Sequence, residues 1–129
     1  MNKNVYLDTQ ESDKNVYELS IERIKYLYSK FDNVIISFSG GKDSMAILEL
    51  TIQVARELNR LPVKTIFFDE EAISYETEKY VRETAQRKGE VDLYWFCLPI
   101  KSNNACSTKN PYWYPWSKFE KDKWVRLLP

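Results

Sequence analysis

Three short apolar runs, each set off from the next by a segment with helical period, restrict this chain to one kind of fold. The runs cover residues 34–38, 63–68 and 91–98. The first, Val34-Ile35-Ile36-Ser37-Phe38, is β-branched and almost wholly apolar, the pattern of a strand covered on both faces. Ahead of it, Tyr17, Ile21, Ile24, Leu27, Tyr28 and Phe31 recur at helical spacing across residues 13–31, with Glu18, Glu22, Arg23 and Lys25 on the other side. A second helix is expected over 44–59, apolar nearly all round in its first half, and Leu61-Pro62 ends it. A third is expected over 74–88, with Tyr80, Val81, Thr84 and Ala85 as its inner stripe. Glu78/Arg82 and Glu83/Arg87 form i,i+4 pairs outside, and Gly89 stands as its C′ cap. Helix–strand alternation of this kind implies an α/β domain with parallel strands and right-handed crossovers. Residues 13–100 form that domain, residues 1–12 a polar arm, and residues 101–129 an irregular tail rich in aromatic and basic side chains.

Composition narrows the function classes. A chain of 129 residues and 15.4 kDa supports one hydrophobic core. Its 19 basic and 19 acidic residues balance, which argues against a general polyanion binder and makes nucleic acid an unexpected partner. With no histidine, the chain has no imidazole base, ligand or pH switch, and no metal site is expected from its side chains. The 43% apolar fraction is too high for disorder. No apolar run reaches membrane-spanning length, and the first residues lack the apolar stretch of a secretory leader. Two cysteines, Cys97 and Cys106, do not make a disulfide scaffold, so a cytoplasmic setting is expected.

The chemistry concentrates in one turn. Ser39-Gly40-Gly41-Lys42-Asp43-Ser44 joins the first strand to the second helix, and it holds two of the chain's three glycines. Glycine permits backbone conformations closed to other residues and removes the Cβ that would keep an oxyanion away. The free N–H groups and dipole of the following helix attract negative charge there. Lys42 adds a point charge suited to phosphate oxygens. Ser39 and Ser44 add hydroxyl donors, and Ser44 also suits an N-cap. The carboxylate of Asp43 either meets a metal ion or braces the loop. On residues alone, two readings stand: an anion or phosphate site, or a well-capped polar turn. A Walker A loop is excluded, because its longer G-x-x-x-x-G-K-[ST] cradle is absent.

The S-G-G-K-D-S turn after an apolar strand resembles the signature loop of the ATP-pyrophosphatase (PP-loop) superfamily of adenine-nucleotide enzymes. Asp69 at the end of the second strand, with Glu76-Thr77 beyond it, narrows the resemblance to the phosphoadenosine phosphosulfate (PAPS) reductase-like branch. The tail, with Asn104-Ala105-Cys106-Ser107, Pro111-Tyr112-Trp113-Tyr114 and Lys123-Trp124-Val125-Arg126, is similar to the subgroup called IbrA-like, described as co-activators of prophage gene expression. The resemblance implies a three-layer α/β/α fold of the adenine nucleotide alpha hydrolase-like (HUP) type. It also implies ATP or a PAPS-type sulfonucleotide, with Mg2+ possible, held by its phosphates on residues 39–44. The adenosine would lie near Ser37, Phe38 and Asp69, and Lys42 and Asp43 would be the catalytic residues. Members either adenylate a substrate, releasing pyrophosphate, or reduce the sulfonucleotide with a cysteine nucleophile.

Two departures bear on this. The reductases carry their nucleophile in a Glu-Cys-Gly-x-x-His-like segment that this chain lacks. Cys97 reads as a small core hydrophobe and Cys106 as a loop residue. The family fold has five parallel strands in the order 3-2-1-4-5, whereas three are legible here. The first strand would then present a bare apolar edge, implying a truncated or naturally short relative that self-associates or is covered by a partner protein.

The remaining features leave alternatives open. Tyr112, Trp113, Tyr114, Trp116, Phe119 and Trp124 alternate with basic residues. They cap the core, anchor a partner, or stack on nucleic acid or a nucleotide. Glu70 and Glu71 either help a metal ion or open the third helix favourably. The reading adopted is an adenine-nucleotide-binding, PAPS reductase-like protein, whether catalytic or a regulatory module that engages a partner through its tail.

Overall fold

The computed structural model describes residues 13–129; the expected N-terminal arm, residues 1–12, lies outside the described residues. Helix α1 spans Val16–Lys30. The Asn15 side chain accepts from the Glu18 N–H at 3.0 Å, and the Glu18 carboxylate accepts from the Asn15 N–H at 2.9 Å. This reciprocal capping box sets the helix start two or three residues later than periodicity alone suggests. Strand β1 is Ile35–Ser37, α2 is Lys42–Glu57, β2 is Val63–Phe68, α3 is Tyr75–Ala85 and β3 is Val91–Phe96. The strands form one parallel sheet in the order β1-β2-β3. The α/β class with a short parallel sheet is as expected.

The burial pattern corrects the layering. Along β2, Val63, Thr65 and Phe67 are buried, while Lys64 and Phe68 are exposed. Register carries that alternation across the sheet, pairing Ile35 with Lys64 and Asp92, and Ser37 with Ile66 and Tyr94. Successive right-handed crossovers that step in one direction place α2 and α3 on the same face. That face is the buried one. Helix α1 packs on α2 beside the β1 edge, where Ile24 and Tyr28 join the core. The expected three-layer arrangement, with strands covered on both sides, is therefore two layers among the described residues. Ile35, Phe68, Tyr94 and Phe96 stand in solvent on the other face, with Phe68 and Phe96 stacked at 5.6 Å between centroids. The first half of α2 is less enclosed than its composition suggests, because Ile47 is exposed where α1 leaves a gap.

The third helix also ends sooner than expected. Its last residue is Ala85 and its C-cap is Gln86, so Gly89, at φ +84°, belongs to the turn entering β3 and is not a C′ cap. Ala85, assigned to the inner stripe, is exposed, and Val81 and Thr84 carry the packing. Arg87 lies past the helix and pairs with Glu49 and Glu90 instead of Glu83. The tail is more ordered than irregular. Ser102–Asn103 (β4) and Tyr112–Trp113 (β5) form a small antiparallel pair, and a single 3-10 turn covers Lys121–Lys123.

Candidate functional site

The glycine turn lies at the C-terminal end of β1, where the chain leaves the sheet and enters α2. Helix α2 begins at Lys42, two residues before the expected start, with Gly41 as N-cap and no side-chain cap. Ser44 is thus the third helical residue and not the N-cap. Its hydroxyl donates to the Gly41 carbonyl at 2.9 Å and accepts from the Ser39 N–H at 3.2 Å. The Ser39 and Ser44 hydroxyls lie 3.0 Å apart, and Ser39 Oγ accepts from the Gly41 N–H at 3.3 Å. The two serines therefore fasten the turn to itself. Met45 N–H makes the first helical bond, to the Gly41 carbonyl at 3.0 Å. The amides of Lys42, Asp43 and Ser44 precede it, have no carbonyl to bond within the helix, and face outward.

Gly40 shows why the turn needs glycine. Its φ is +76°, in the left-handed region. A Cβ built there would sit 2.9 Å from Thr77 Cγ2 and 3.2 Å from Val81 Cγ2. Helix α3 thus presses directly on the turn, and Thr77 of the Glu76-Thr77 pair is the residue that makes the contact. The Ser74 hydroxyl holds Thr77 in place by accepting from its N–H at 3.2 Å. Gly41, Lys42 and Asp43 are exposed on the outer side.

The other residues expected near a nucleotide are distributed differently. Ser37 is exposed on the open face of the sheet. The Phe38 ring is 2% exposed and packs against Phe67 and Tyr80 at 6.5 and 5.9 Å, so this residue offers a ligand its backbone alone. Asp69 directly follows β2 and turns its carboxylate into the protein. Oδ2 accepts from Trp95 Nε1 at 2.7 Å, and Oδ1 accepts from the Glu71 N–H at 2.8 Å and pairs with the Arg126 guanidinium. Its carbonyl accepts from Trp116 Nε1 at 2.8 Å.

Glu71 is the centre of a network that the sequence reading missed. It is buried, with φ +67°. Its carboxylate accepts from the backbone N–H of Trp116 at 2.6 Å and of Val125 at 3.0 Å, and its carbonyl accepts from Arg126 Nε at 3.0 Å. Neither of the roles expected for it applies: helix α3 starts four residues later, at Tyr75, and both carboxylate oxygens are taken by the tail. Glu70 remains exposed. The available signal was Arg126, the single arginine in a tail of lysines, which suits a fixed, forked partner where lysine suits solvent. The tail aromatics divide accordingly. Trp116 is buried edge-on to Trp124 with centroids 5.3 Å apart, whereas Tyr112, Tyr114 and Phe119 are exposed.

Both thiols are free. Cys97 lies just past β3 rather than inside it, and burial together with the nearby Asp69 carboxylate pushes its thiol up to about 11. It is a protonated thiol at neutral pH, not a ready nucleophile. Cys106 is exposed.

Together, fold and turn define a parallel α/β domain with a solvent-facing glycine turn at a helix N-terminus, the arrangement in which such domains receive anions. The chain belongs to the phosphoadenosine phosphosulfate reductase domain family, which it matches over residues 33–127. It is also 36% identical over 118 residues to an uncharacterised Escherichia coli (strain K12) protein, YbdN. That alignment takes in 89% of this chain and 28% of the relative's length. No solved structure matches it. Among the described residues, no helix is long and apolar enough to cross a membrane.

Proposed function

We propose that this chain binds an adenine nucleotide, ATP or a sulfonucleotide, by seating its phosphates on residues 39–44. The observation that carries this reading is the start of α2. Three outward amides converge there beside the exposed Lys42, behind a turn whose first glycine leaves no room for a Cβ beside Thr77 and Val81. Ser39 and Ser44 brace the turn through hydrogen bonds within it. Lys42 supplies positive charge to the phosphates, and the low side-chain bulk of Gly41 lets them approach the amides. Ser37 and the Phe38 backbone border the space beyond, where the nucleoside would lie. Mg2+ would arrive on the nucleotide's own phosphates, with Asp43 the carboxylate nearest to them in sequence; such ions keep most of their ligands from phosphate and water. If the chain is catalytic, Lys42 and the helix amides stabilise charge developing on the phosphates.

The test is isothermal titration of ATP and PAPS into the wild type and Lys42→Ala. Binding that weakens about tenfold on loss of the lysine, in keeping with one charge-assisted contact, supports the reading. Absence of binding by both nucleotides overturns it.

A second reading, a regulatory module, is favoured by the exposure of Tyr112, Tyr114 and Phe119 at 49%, 47% and 86%. It keeps the phosphate seat and uses these rings to hold a partner protein. Replacing all three with serine would abolish partner capture while leaving nucleotide affinity unchanged; retained capture would dismiss it.

A further inference from the structure

The phosphate seat and the tail are separate in sequence, but α3 stands between them and touches both. On one side, Thr77 and Val81 pack against Gly40, leaving no room for a Cβ. On the other, the Arg126 guanidinium reaches the same end of that helix. Its Nη1 lies 3.7 Å from Glu78 Oε1, its Nη2 pairs with Asp69, its Nε donates to the Glu71 carbonyl at 3.0 Å, and its plane covers the Trp116 ring at 4.8 Å. The side chain is 15% exposed, and Nη1 is buried without a hydrogen-bond partner. Glu78 directly follows Thr77. The first turn of the helix therefore lies between the glycine turn and a buried cation whose Nη2 and Nε are bound to Asp69 and Glu71, while Glu78 Oε1 also accepts from Arg82 of the same helix at 3.0 and 2.7 Å.

From this arrangement we infer that Arg126 is a positioning residue for the phosphate seat. It acts through Glu78 and α3 and makes no contact with the ligand. The inference rests on the nucleotide-binding reading for its functional consequence, but not for its structural one. A guanidinium held by Asp69 and Glu71 is a fixed post. The attraction between that post and Glu78 sets where the first turn of α3 lies, and Thr77 passes that position to Gly40. The unpartnered Nη1 is what makes the contact adjustable, since at 3.7 Å it attracts Glu78 without the directional lock of a hydrogen bond. Lysine at 126 would keep the charge and lose the fork, so it could not serve Asp69, the Glu71 carbonyl and Glu78 together.

The test uses Arg126→Lys and Glu78→Gln. The second leaves the Arg126–Asp69 pair intact; because Glu78 also accepts from Arg82 at 3.0 and 2.7 Å, Arg82→Gln, which breaks that pair and spares Arg126, is the control and should leave the Gly40 resonance in place. Two readouts are taken on each: the amide 15N–1H positions of Gly40 and Gly41 without ligand, and the affinity for inorganic pyrophosphate. The inference predicts that both substitutions move the Gly40 resonance and weaken pyrophosphate binding by roughly 2- to 30-fold, the span of coupling through packed networks. Melting temperature, read in parallel, reports any loss of the folded state. Unmoved glycine resonances in two folded variants would overturn the inference, even if the wild type binds nothing. Moved resonances with no pyrophosphate binding by the wild type would instead retain the positioning role, and the titrations with ATP and PAPS then decide the nucleotide reading separately.

Discussion

Substituting Gly40 with alanine tests the close approach of α3 to the turn, and Gly89 supplies its control. Both glycines have positive φ, +76° and +84°. Alanine at either must adopt a left-handed backbone, at a cost of about 1–2 kcal/mol. At Gly89 nothing lies within 4 Å of the new Cβ, so that cost is the whole effect. At Gly40 the methyl would meet Thr77 Cγ2 at 2.9 Å and Val81 Cγ2 at 3.2 Å. Both are β-branched side chains in the first turns of a packed helix, so relief requires an unfavourable rotamer or a shift of α3, and overpacking of this kind adds about 1–3 kcal/mol. Gly40→Ala should therefore destabilise by about 2–5 kcal/mol, measured by urea unfolding, and Gly89→Ala by about 1–2 kcal/mol. Adding Thr77→Ser removes the closer methyl, and the double variant should recover part of the excess as a coupling energy. Equal losses for the two alanine variants, or no coupling to Thr77, would refute the argument that α3 presses on the turn.

Three further outcomes follow from the same structure. Asp69→Asn removes the buried carboxylate paired with Arg126, leaving that cation with Glu78 alone at 3.7 Å, and should cost about 3–5 kcal/mol in unfolding free energy; a loss below about 1 kcal/mol would show that the network does not hold the tail. Cys97, its thiol raised to about 11, should alkylate with iodoacetamide at pH 8 far more slowly than exposed Cys106, as read by peptide mass spectrometry. The sign is that a raised thiol holds less thiolate at every pH below its midpoint, so the Cys97 rate should keep climbing up to about pH 11. Comparable rates at pH 8 would contradict its placement. Self-association is expected through the open sheet face, whose apolar Phe68, Tyr94 and Phe96 are accompanied by the opposite charges Lys64 and Asp92, a self-complementary set for a two-fold contact. Sedimentation should give a dimer that Phe68→Ser with Phe96→Ser converts to monomer, and a wild-type monomer would count against it.

Much of the fold was legible because local pattern and tertiary structure agree. Apolar runs became strands at 63–68 and near 34–38 and 91–98, and the helical stripes gave Ile24, Tyr28, Val81 and Thr84 to the core. The glycine turn was legible as well, since glycine is scarce and its placement after a strand has few other uses. Layering was not. An apolar run such as Val34-Ile35-Ile36 has the same appearance whether one face or both are covered, and only register and crossover direction show that Ile35 is exposed. The tail network was hidden for a different reason. The Glu71 carboxylate bonds to backbone amides of Trp116 and Val125, and backbone partners leave no mark on residue identity. Asp69 likewise has the right place in the chain for a ligand contact, yet its carboxylate is spent on Trp95 and Arg126.

The most direct measurement is an NMR titration of the 15N-labelled protein with ATP and with PAPS. Saturable shifts centred on the amides of Gly40, Gly41, Lys42, Asp43 and Ser44, and weakened by Lys42→Ala, are the predicted result. Shifts elsewhere with these five amides unmoved, or none at millimolar nucleotide, would contradict a phosphate seat at the start of α2.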